Sequence, residues 1–114
     1  MKLETQSQNG QIVVAVREER LDAHNSGELK DRFLRLLEEG GRHLVVDLSS
    51  VNFIDSSGLG ALLSGYKNAS QRGGSLVLAG PQPRVRAMFE LTRLNRVFDI
   101  YPRLQEALAS QSVG

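Results

Sequence analysis

The amino-acid sequence predicts a single α/β domain with a mostly parallel sheet, an antiparallel edge hairpin and four helices, in the order ββαβαβαβα. Apolar runs of strand length alternate with segments of helical periodicity, which favours a parallel sheet with right-handed crossovers. Asn9-Gly10 is typical of a tight turn, so residues 2–7 and 12–17 are predicted to pair as the hairpin. The length of 114 residues fits one domain, whose core is expected at about residues 10–108.

The first helix is predicted from a start signal and from its apolar spacing. Asn25 followed by Glu28 fits a capping box, in which two side chains bond the backbone N–H groups at a helix start. Gly40-Gly41 marks the helix end. The residues expected on the buried face are Leu29, Phe33, Leu36 and Leu37.

The middle of the chain contains a strand and a second helix. Residues 43–48 form a nearly continuous apolar run, which suits a parallel strand buried on both faces. The helix is predicted to begin near Ser57 and to end at Gly73-Gly74. Its buried stripe is expected to contain Leu59, Leu62, Leu63 and Tyr66. Its other face, the small-residue face, carries Gly60, Ala61, Ser64, Gly65 and Ser70.

The C-terminal part continues the alternation. A strand is predicted at Ser75–Ala79 and another at residues 97–100. Pro83 and Pro102 each suit the first turn of a helix. The inward-facing residues of these two helices are expected to be Val85, Met88, Phe89, either Leu91 or Thr92, and then Leu104, Ala107 and Leu108.

Composition excludes several classes of function. The 14 Lys and Arg residues balance the 13 Asp and Glu residues to a net charge of +1, so attraction to nucleic acid or anionic lipid is weak. The absence of Cys and the wide separation of the two His residues suggest no metal site. No apolar run approaches the ~20 residues that span a bilayer, and no signal peptide is evident. We expect a cytoplasmic protein without a cofactor that binds neither nucleic acid nor membranes.

The arginines of the C-terminal third leave two interpretations open. They form either a solvated helix face or a surface complementary to an acidic partner. No aromatic platform accompanies them, which argues against nucleic-acid binding. These residues are Arg84, Arg86, Arg93, Arg96 and Arg103.

The functional question centres on residues 53–60, where an acid, two hydroxyls and a glycine join a strand to a helix. Asp55, Ser56 and Ser57 are residue types that cap helices, because their oxygens accept unpaired backbone N–H bonds. A phosphate on Ser56 is compatible with this position, since a helix N-terminus carries a partial positive charge. Gly60 and Gly65 indicate either close packing of the helix on its own sheet or a flat surface for another protein.

The string Asp55-Ser56-Ser57-Gly58-Leu59-Gly60 between a strand and a helix resembles the STAS domain family, in particular bacterial anti-sigma factor antagonists. The similarity extends over about residues 10–108, almost the whole chain. Further segments similar to the family are Leu21-Asp22, Val46-Asp47-Leu48, Tyr66-Lys67 and residues 73–78 and 85–89.

The resemblance implies a partner-switching regulator of transcription rather than an enzyme. In such families the Ser after the Asp is the phosphoacceptor, which corresponds to Ser56 here. The unphosphorylated antagonist binds an anti-sigma factor with serine kinase activity and so frees a sigma factor; phosphorylation detaches it, and a serine phosphatase resets it. The implied partner contacts are Asp22, Asp55, Ser56, Ser57, Gly58 and Gly60, with Ser64 on the small-residue face.

The chain departs from the family pattern at one place. Many relatives have Gly shortly before the Leu-Asp pair, whereas this chain has Glu18-Glu19-Arg20. These charges alter the expected partner surface, so the identity of the kinase stays open.

A receiver domain that is phosphorylated on Asp is a first alternative. Asp47 near a strand end and the pair Glu18-Glu19 suggest an acidic site. Receivers place a Lys after the last strand, however, whereas residues 100–103 are Ile-Tyr-Pro-Arg. The opening hairpin also disagrees with that fold.

A serine hydrolase is a second alternative, with Ser56 or Ser57 as nucleophile and His24 or His43 as base. The surrounding motif is not the Gly-x-Ser-x-Gly turn of such enzymes.

A third alternative keeps the STAS fold without the phosphorylation cycle, as a scaffold or stress-signalling module. Incubation with a cognate kinase distinguishes it from the antagonist.

Overall fold

The computed structural model describes residues 1–110, and its main sheet has five strands. These are β1 (Leu3–Gln8), β2 (Gln11–Val16), β4 (His43–Asp47), β6 (Ser75–Ala79) and β7 (Ile100–Tyr101), in that spatial order. The β1–β2 pair is antiparallel and the others are parallel. A separate parallel pair consists of β3 (Arg20–Leu21) and β5 (Phe53–Ile54). The predicted mixed sheet with an antiparallel edge hairpin is confirmed.

Helices cover both faces of the main sheet. They are α1 (Ser26–Glu38), α2 (Ser56–Gln71), α3 (Pro83–Leu91) and α4 (Leu104–Ser110), with a 3-10 helix at Leu94–Arg96. Within the described residues, no helix combines the length and the apolar composition needed to cross a bilayer. Residues 111–114 of the predicted domain lie outside the described part of the chain.

Alternation along the central strands divides the core into two layers. In β4, Leu44 and Val46 belong to the larger cluster with α1, α2 and α3, whereas Val45 belongs to the smaller cluster with α4. All three side chains are fully buried, as expected for a parallel strand covered on both faces. Each such side chain contributes about 1.5–3 kcal/mol on burial. The helix α2 therefore rests on a well-packed sheet.

The first helix confirms its predicted face but not its predicted cap. Leu29, Phe33 and Leu37 are buried and Leu36 is partly buried. The Asn25 side chain makes no cap bond to the helix. It accepts the Asp22 N–H at 2.9 Å and donates to the Arg20 carbonyl at 2.7 Å. The capping box was wrong because this side chain stabilises the turn before the helix instead.

The C-terminal part differs from the prediction at two points. The strand expected at residues 97–100 is displaced to Ile100–Tyr101, because the turn after the 3-10 helix occupies Val97 and Phe98, whose N–H groups both donate to the Leu94 carbonyl. Phe98 is buried instead against the rings of Tyr66 and Phe89, with centroids 5.4 and 5.7 Å away. Neither of the two residues offered as alternatives for facing inward does so, because Leu91 is 78% exposed and Thr92 is also exposed.

Candidate functional site

The two short strands that the sequence analysis did not predict hold the site together. In their parallel register, Leu21 lies opposite Ile54. The Glu19 carbonyl accepts the N–H of Asn52 at 2.7 Å, and the Leu21 carbonyl accepts the N–H of Asp55 at 3.3 Å. The turn that contains Asp22 is thereby fixed beside the start of α2.

The start of α2 is capped by Asp55, as predicted for this group of residues. Its carboxylate accepts the Gly58 N–H at 3.0 Å, and its carbonyl accepts the Leu59 N–H at 3.0 Å. The helix therefore begins at Ser56, one residue before the predicted start. Because the cap is supplied by Asp55, neither serine hydroxyl is needed for it.

Ser56 is the exposed member of this group. It lies on the first turn of α2, while Ser57 is partly buried. Across residues 1–110 no hydrogen bond joins the Ser56 hydroxyl to another protein group. This hydroxyl is accessible to a reagent or to another protein.

Gly58 is buried, and its close neighbours explain the need for glycine. A Cβ at this position would lie 2.5 Å from the Leu21 carbonyl oxygen and 2.8 Å from Cγ1 of Ile54. The missing side chain lets α2 pack against the β3–β5 pair. Gly58 thus supports the packing beneath the site and is not itself exposed to a partner.

Asp22 lies in the turn beside the start of α2 and is itself well anchored. Its carboxylate accepts the His24 N–H at 3.0 Å and the Arg20 Nε–H at 3.2 Å. The His24 backbone bond, followed by the Arg20 side chain, holds the pKa of the Asp22 carboxyl below its ordinary value of 3.8. Asp22 is therefore a fixed negative charge near neutral pH.

Arg20 also contacts an exposed aromatic ring. Its guanidinium carbon lies 4.1 Å from the centroid of Phe53, which is 36% exposed. Such a cation–π contact is worth about 0.5–1 kcal/mol at an exposed site. Of the three residues at which the sequence differs from the family pattern, Glu18-Glu19-Arg20, Arg20 therefore lies at the site.

An apolar pocket of about 320 Å³ opens beside Ser56. Its lining consists of Phe53, Ile54, Asp55, Ser56, Arg84 and Met88. Arg84, in the first turn of α3, is the one member of the C-terminal arginine group in this lining. The sequence did not predict that Arg84 lies in this lining, because the start of α3 comes near the start of α2 only in the folded chain.

A second cavity, the α1–α2 cleft, lies on the side of Ser57 and has a volume of about 330 Å³. It is lined by Ser26, Gly27, Lys30, Ser57, Gly60 and Ala61. Gly60 is exposed, and a Cβ placed there would have no neighbour within 4 Å. This glycine leaves an open surface on α2, as the partner-surface interpretation requires.

The small-residue face does not form one surface. Gly65 is buried, and a Cβ there would lie 2.5 Å from Cδ2 of Phe33 and 2.9 Å from Cδ1 of Leu76. Ala61 is also buried. Both belong to the packing of α2 on its own fold, so of the two interpretations left open, close packing is confirmed for Gly65 and the flat surface is wrong there. Ser64 is partly buried, and its carbonyl accepts the Asn68 amide at 2.9 Å.

The histidines of the hydrolase alternative and Asp47 of the receiver alternative are already engaged by other groups. His43 Nδ1 lies 2.9 Å from Oγ of Ser75, at the start of its strand. His24 lies 3.7 Å from Asp22 and has no hydrogen bond to Ser56 or Ser57. Asp47 accepts the Ser49 N–H at 3.0 Å and faces Arg17 at 3.8 Å. Among residues 1–110, no three His, Asp or Glu side chains converge on one point.

Comparison with known proteins gives a consistent result. The STAS domain model matches residues 2–107. The anti-sigma F factor antagonist of Paenibacillus polymyxa is 28% identical over 114 residues, covering 99% of this chain and 97% of that protein. The anti-sigma-B factor antagonist of Listeria monocytogenes is 32% identical over 80 residues, 70% of each chain. A crystal structure of an anti-sigma factor antagonist from Mycobacterium paratuberculosis aligns with a TM-score of 0.86 and 27% identity, covering 96% and 92% of the two chains.

Proposed function

Because the chain belongs to the STAS domain family, we propose that it is an anti-sigma factor antagonist that acts by binding and not by catalysis. The unphosphorylated chain binds an anti-sigma factor that is also a serine kinase. Binding displaces a sigma factor, which becomes available to RNA polymerase. The relatives that carry the name anti-sigma factor antagonist support this class of partner.

The observation that carries the proposal is the position of Ser56. Ser56 is exposed at the first turn of α2, and Asp55 already supplies the helix cap. A kinase can therefore modify this hydroxyl without removing a bond on which the fold depends. Ser57 is partly buried, so its hydroxyl is less accessible to a kinase and is the poorer acceptor.

The modification is a phosphoryl transfer from ATP. The γ-phosphoryl group leaves ADP and forms a bond with Oγ of Ser56, whose proton passes to a base of the kinase or to solvent. The product carries about −1.5 to −2 additional charges near neutral pH. The partial positive charge at the start of α2 accommodates this group, so the fold is retained.

The added charge ends binding because of where it lies. It is placed on the rim of the apolar pocket, beside the carboxylate of Asp55. A partner that covers this pocket has to desolvate the phosphate and approach two neighbouring negative groups, which costs several kcal/mol for like charges at an interface. A serine phosphatase restores the hydroxyl by hydrolysis of the phosphate ester.

The partner surface in this proposal surrounds Ser56. Asp22 supplies a fixed charge, Ser57 and Gly60 line the α1–α2 cleft, and Ser64 borders the neighbouring groove with Gly60. Gly58 contributes by position only, since it is buried. Charged groups on such a surface act mainly on partner choice and association rate.

The experiment is incubation with ATP and each anti-sigma kinase of the source organism, followed by intact-mass analysis and peptide mapping. Ser56→Ala and Ser57→Ala are the matched variants. One phosphate that is lost only in Ser56→Ala supports the proposal. A phosphate on Ser57 moves the acceptor by one residue, and stable partner binding with no phosphate from any kinase favours a scaffold without the cycle.

A further inference from the structure

We infer that phosphorylated Ser56 pairs with the guanidinium of Arg84 across the apolar pocket, and that this pair closes the pocket to the partner. The inference rests on the proposed function, since it concerns the phosphorylated state of Ser56. It adds an intramolecular latch to the electrostatic repulsion described above.

The two groups line one pocket from different elements of the fold. Ser56 lies in the first turn of α2 and Arg84 in the first turn of α3, and both line the same pocket of about 320 Å³. The remaining lining is largely apolar and comes from Phe53, Ile54 and Met88, with Asp55 beside Ser56.

Arg84 is available for a new partner, whereas neighbouring arginines are engaged. Arg20 is paired with Asp22 at 3.2 Å and stacked on Phe53. Arg86 faces Glu90 at 3.8 Å. Arg84 is exposed and has no ion pair or hydrogen bond with any residue in the 1–110 range.

The chemistry of the two groups fits. A guanidinium matches phosphate with two parallel N–H···O bonds, which are stronger than bonds between neutral groups. The nearest carboxylate in the pocket, Asp55, is held by the Gly58 N–H and carries one charge, so the phosphate dianion is the better partner. An unmodified Ser56 hydroxyl offers no charge, and Arg84 then stays solvated.

Closure of the pocket follows from the length of the arginine side chain. With the guanidinium paired to the phosphate, we expect the methylene stem of Arg84 to lie across the pocket and to pack on Phe53 and Met88, which line it. The apolar surface that an unmodified chain offers to a partner is then covered. Phosphorylation thus changes shape as well as charge at the same place.

Lys30 provides the matched control. It is exposed in the α1–α2 cleft with Ser57, not in the apolar pocket with Ser56, and among residues 1–110 it has no ion-pair partner. A general attraction between the phosphate and nearby cations would involve Lys30 and Arg84 alike. A specific latch involves Arg84 alone.

The test uses protein with phosphoserine incorporated during synthesis at position 56, so no kinase is required. Phosphorus NMR titration gives the second pKa of the phosphate in the parent, Arg84→Met, Arg84→Lys and Lys30→Met proteins. In the same samples, the methyl signal of Met88 reports on the pocket, and that of Met1 serves as reference. Circular dichroism verifies that each variant is folded.

We expect the acid dissociation constant of the phosphate to be about two- to fivefold larger in the parent than in Arg84→Met, as for an exposed ion pair. Lys30→Met should match the parent, and Arg84→Lys should retain only part of the effect. The Met88 methyl signal should shift on phosphorylation in the parent and not in Arg84→Met. The difference should shrink in about 1 M salt, where charges are screened beyond about 3 Å.

Equal phosphate pKa values in the parent and Arg84→Met overturn the inference, as does an effect of Lys30→Met of the same size. Failure of the latch is distinguishable from failure of the proposed function. If a kinase modifies Ser56 while Arg84→Met leaves the titration unchanged, the cycle stands and the latch is wrong. If the titration shows the pair while no kinase modifies Ser56, the latch is a property of the phosphorylated protein and the proposed cycle is wrong.

Discussion

Replacement of Gly58 by Ala tests the packing that supports the site. The new Cβ would lie 2.5 Å from the Leu21 carbonyl oxygen, 2.8 Å from Cγ1 of Ile54 and 3.0 Å from Cγ of Leu21. The carbonyl is the critical neighbour, because it accepts the Asp55 N–H and cannot recede without weakening that bond. The strain therefore acts on the cap of α2 and on Ser56 next to it.

The expected magnitude is the balance of two effects. Overpacking of a close-packed site costs about 1–3 kcal/mol, and replacement of a helical Gly by Ala normally gains about 1 kcal/mol. Since the closest neighbour is a backbone atom, we expect an overpacking cost of about 3 kcal/mol. After the gain of about 1 kcal/mol in helix propensity, the net destabilisation is about 2 kcal/mol. For a domain of this size the midpoint of thermal unfolding, Tm, should fall by roughly 8 °C.

Gly60→Ala is the matched control on the same helix. Gly60 is exposed, and a Cβ there would have no neighbour within 4 Å. Only the helix-propensity gain remains, so the free energy of unfolding should rise by about 1 kcal/mol. Urea unfolding, monitored by far-UV circular dichroism, gives the free energy of unfolding of both variants and of the parent. If Gly58→Ala is as stable as the parent, or if the two variants change stability by the same amount, the argument from Leu21 is refuted.

Three further predictions concern the residues around Ser56. Asp55→Ala removes the cap bond to Gly58 and should lower the free energy of unfolding by about 1 kcal/mol in urea titrations, with an unchanged stability counting against the cap. Ser56→Asp should leave the unfolding curve unchanged and weaken binding to the anti-sigma factor at least tenfold by isothermal calorimetry, whereas Ser56→Ala should bind with parental affinity even after kinase treatment; tight binding by Ser56→Asp would contradict the electrostatic switch. Asp22 has a lowered pKa, so its stabilising contribution is present above its ordinary value of 3.8 and is lost as the pH falls through the lower folded-state value. The stability advantage of the parent over Asp22→Asn should therefore decrease below about pH 4 in urea titrations, and an advantage that is independent of pH would refute this role for Asp22.

The sequence was sufficient for those parts of the fold that follow from periodicity and turn chemistry. The β1–β2 hairpin follows from Asn9-Gly10, and α3 begins at Pro83 as its ring geometry predicts. The position of Ser56 at a helix start follows from a strand pattern, a capping residue and a helical pattern in succession. These signals are local, so no knowledge of distant contacts is needed.

The parts that could not be predicted depend on contacts between distant segments. Strands β3 and β5 have two residues each, too few to show a period of two. The sequence also does not separate Gly58 and Gly65, which are buried, from Gly60, which is exposed. Their difference depends on which neighbour approaches α2 on each side. Arg84 lines the pocket because α3 packs near β5, and the sequence did not distinguish it from the other four arginines of the C-terminal third.

The edges of the main sheet bear on how the protein behaves when it has no partner. On one side the outer strand, β1, is exposed from Glu4 to Gln8, and the side chains of these residues are polar or charged. Its first residue, Leu3, is partly buried. On the other side β7 has only two residues. Exposed edges of long, apolar strands invite pairing with other chains, whereas a polar edge and a very short edge discourage it. In the proposed cycle the protein is released from its partner, and these two edges discourage the free protein from pairing with other chains into intermolecular sheets.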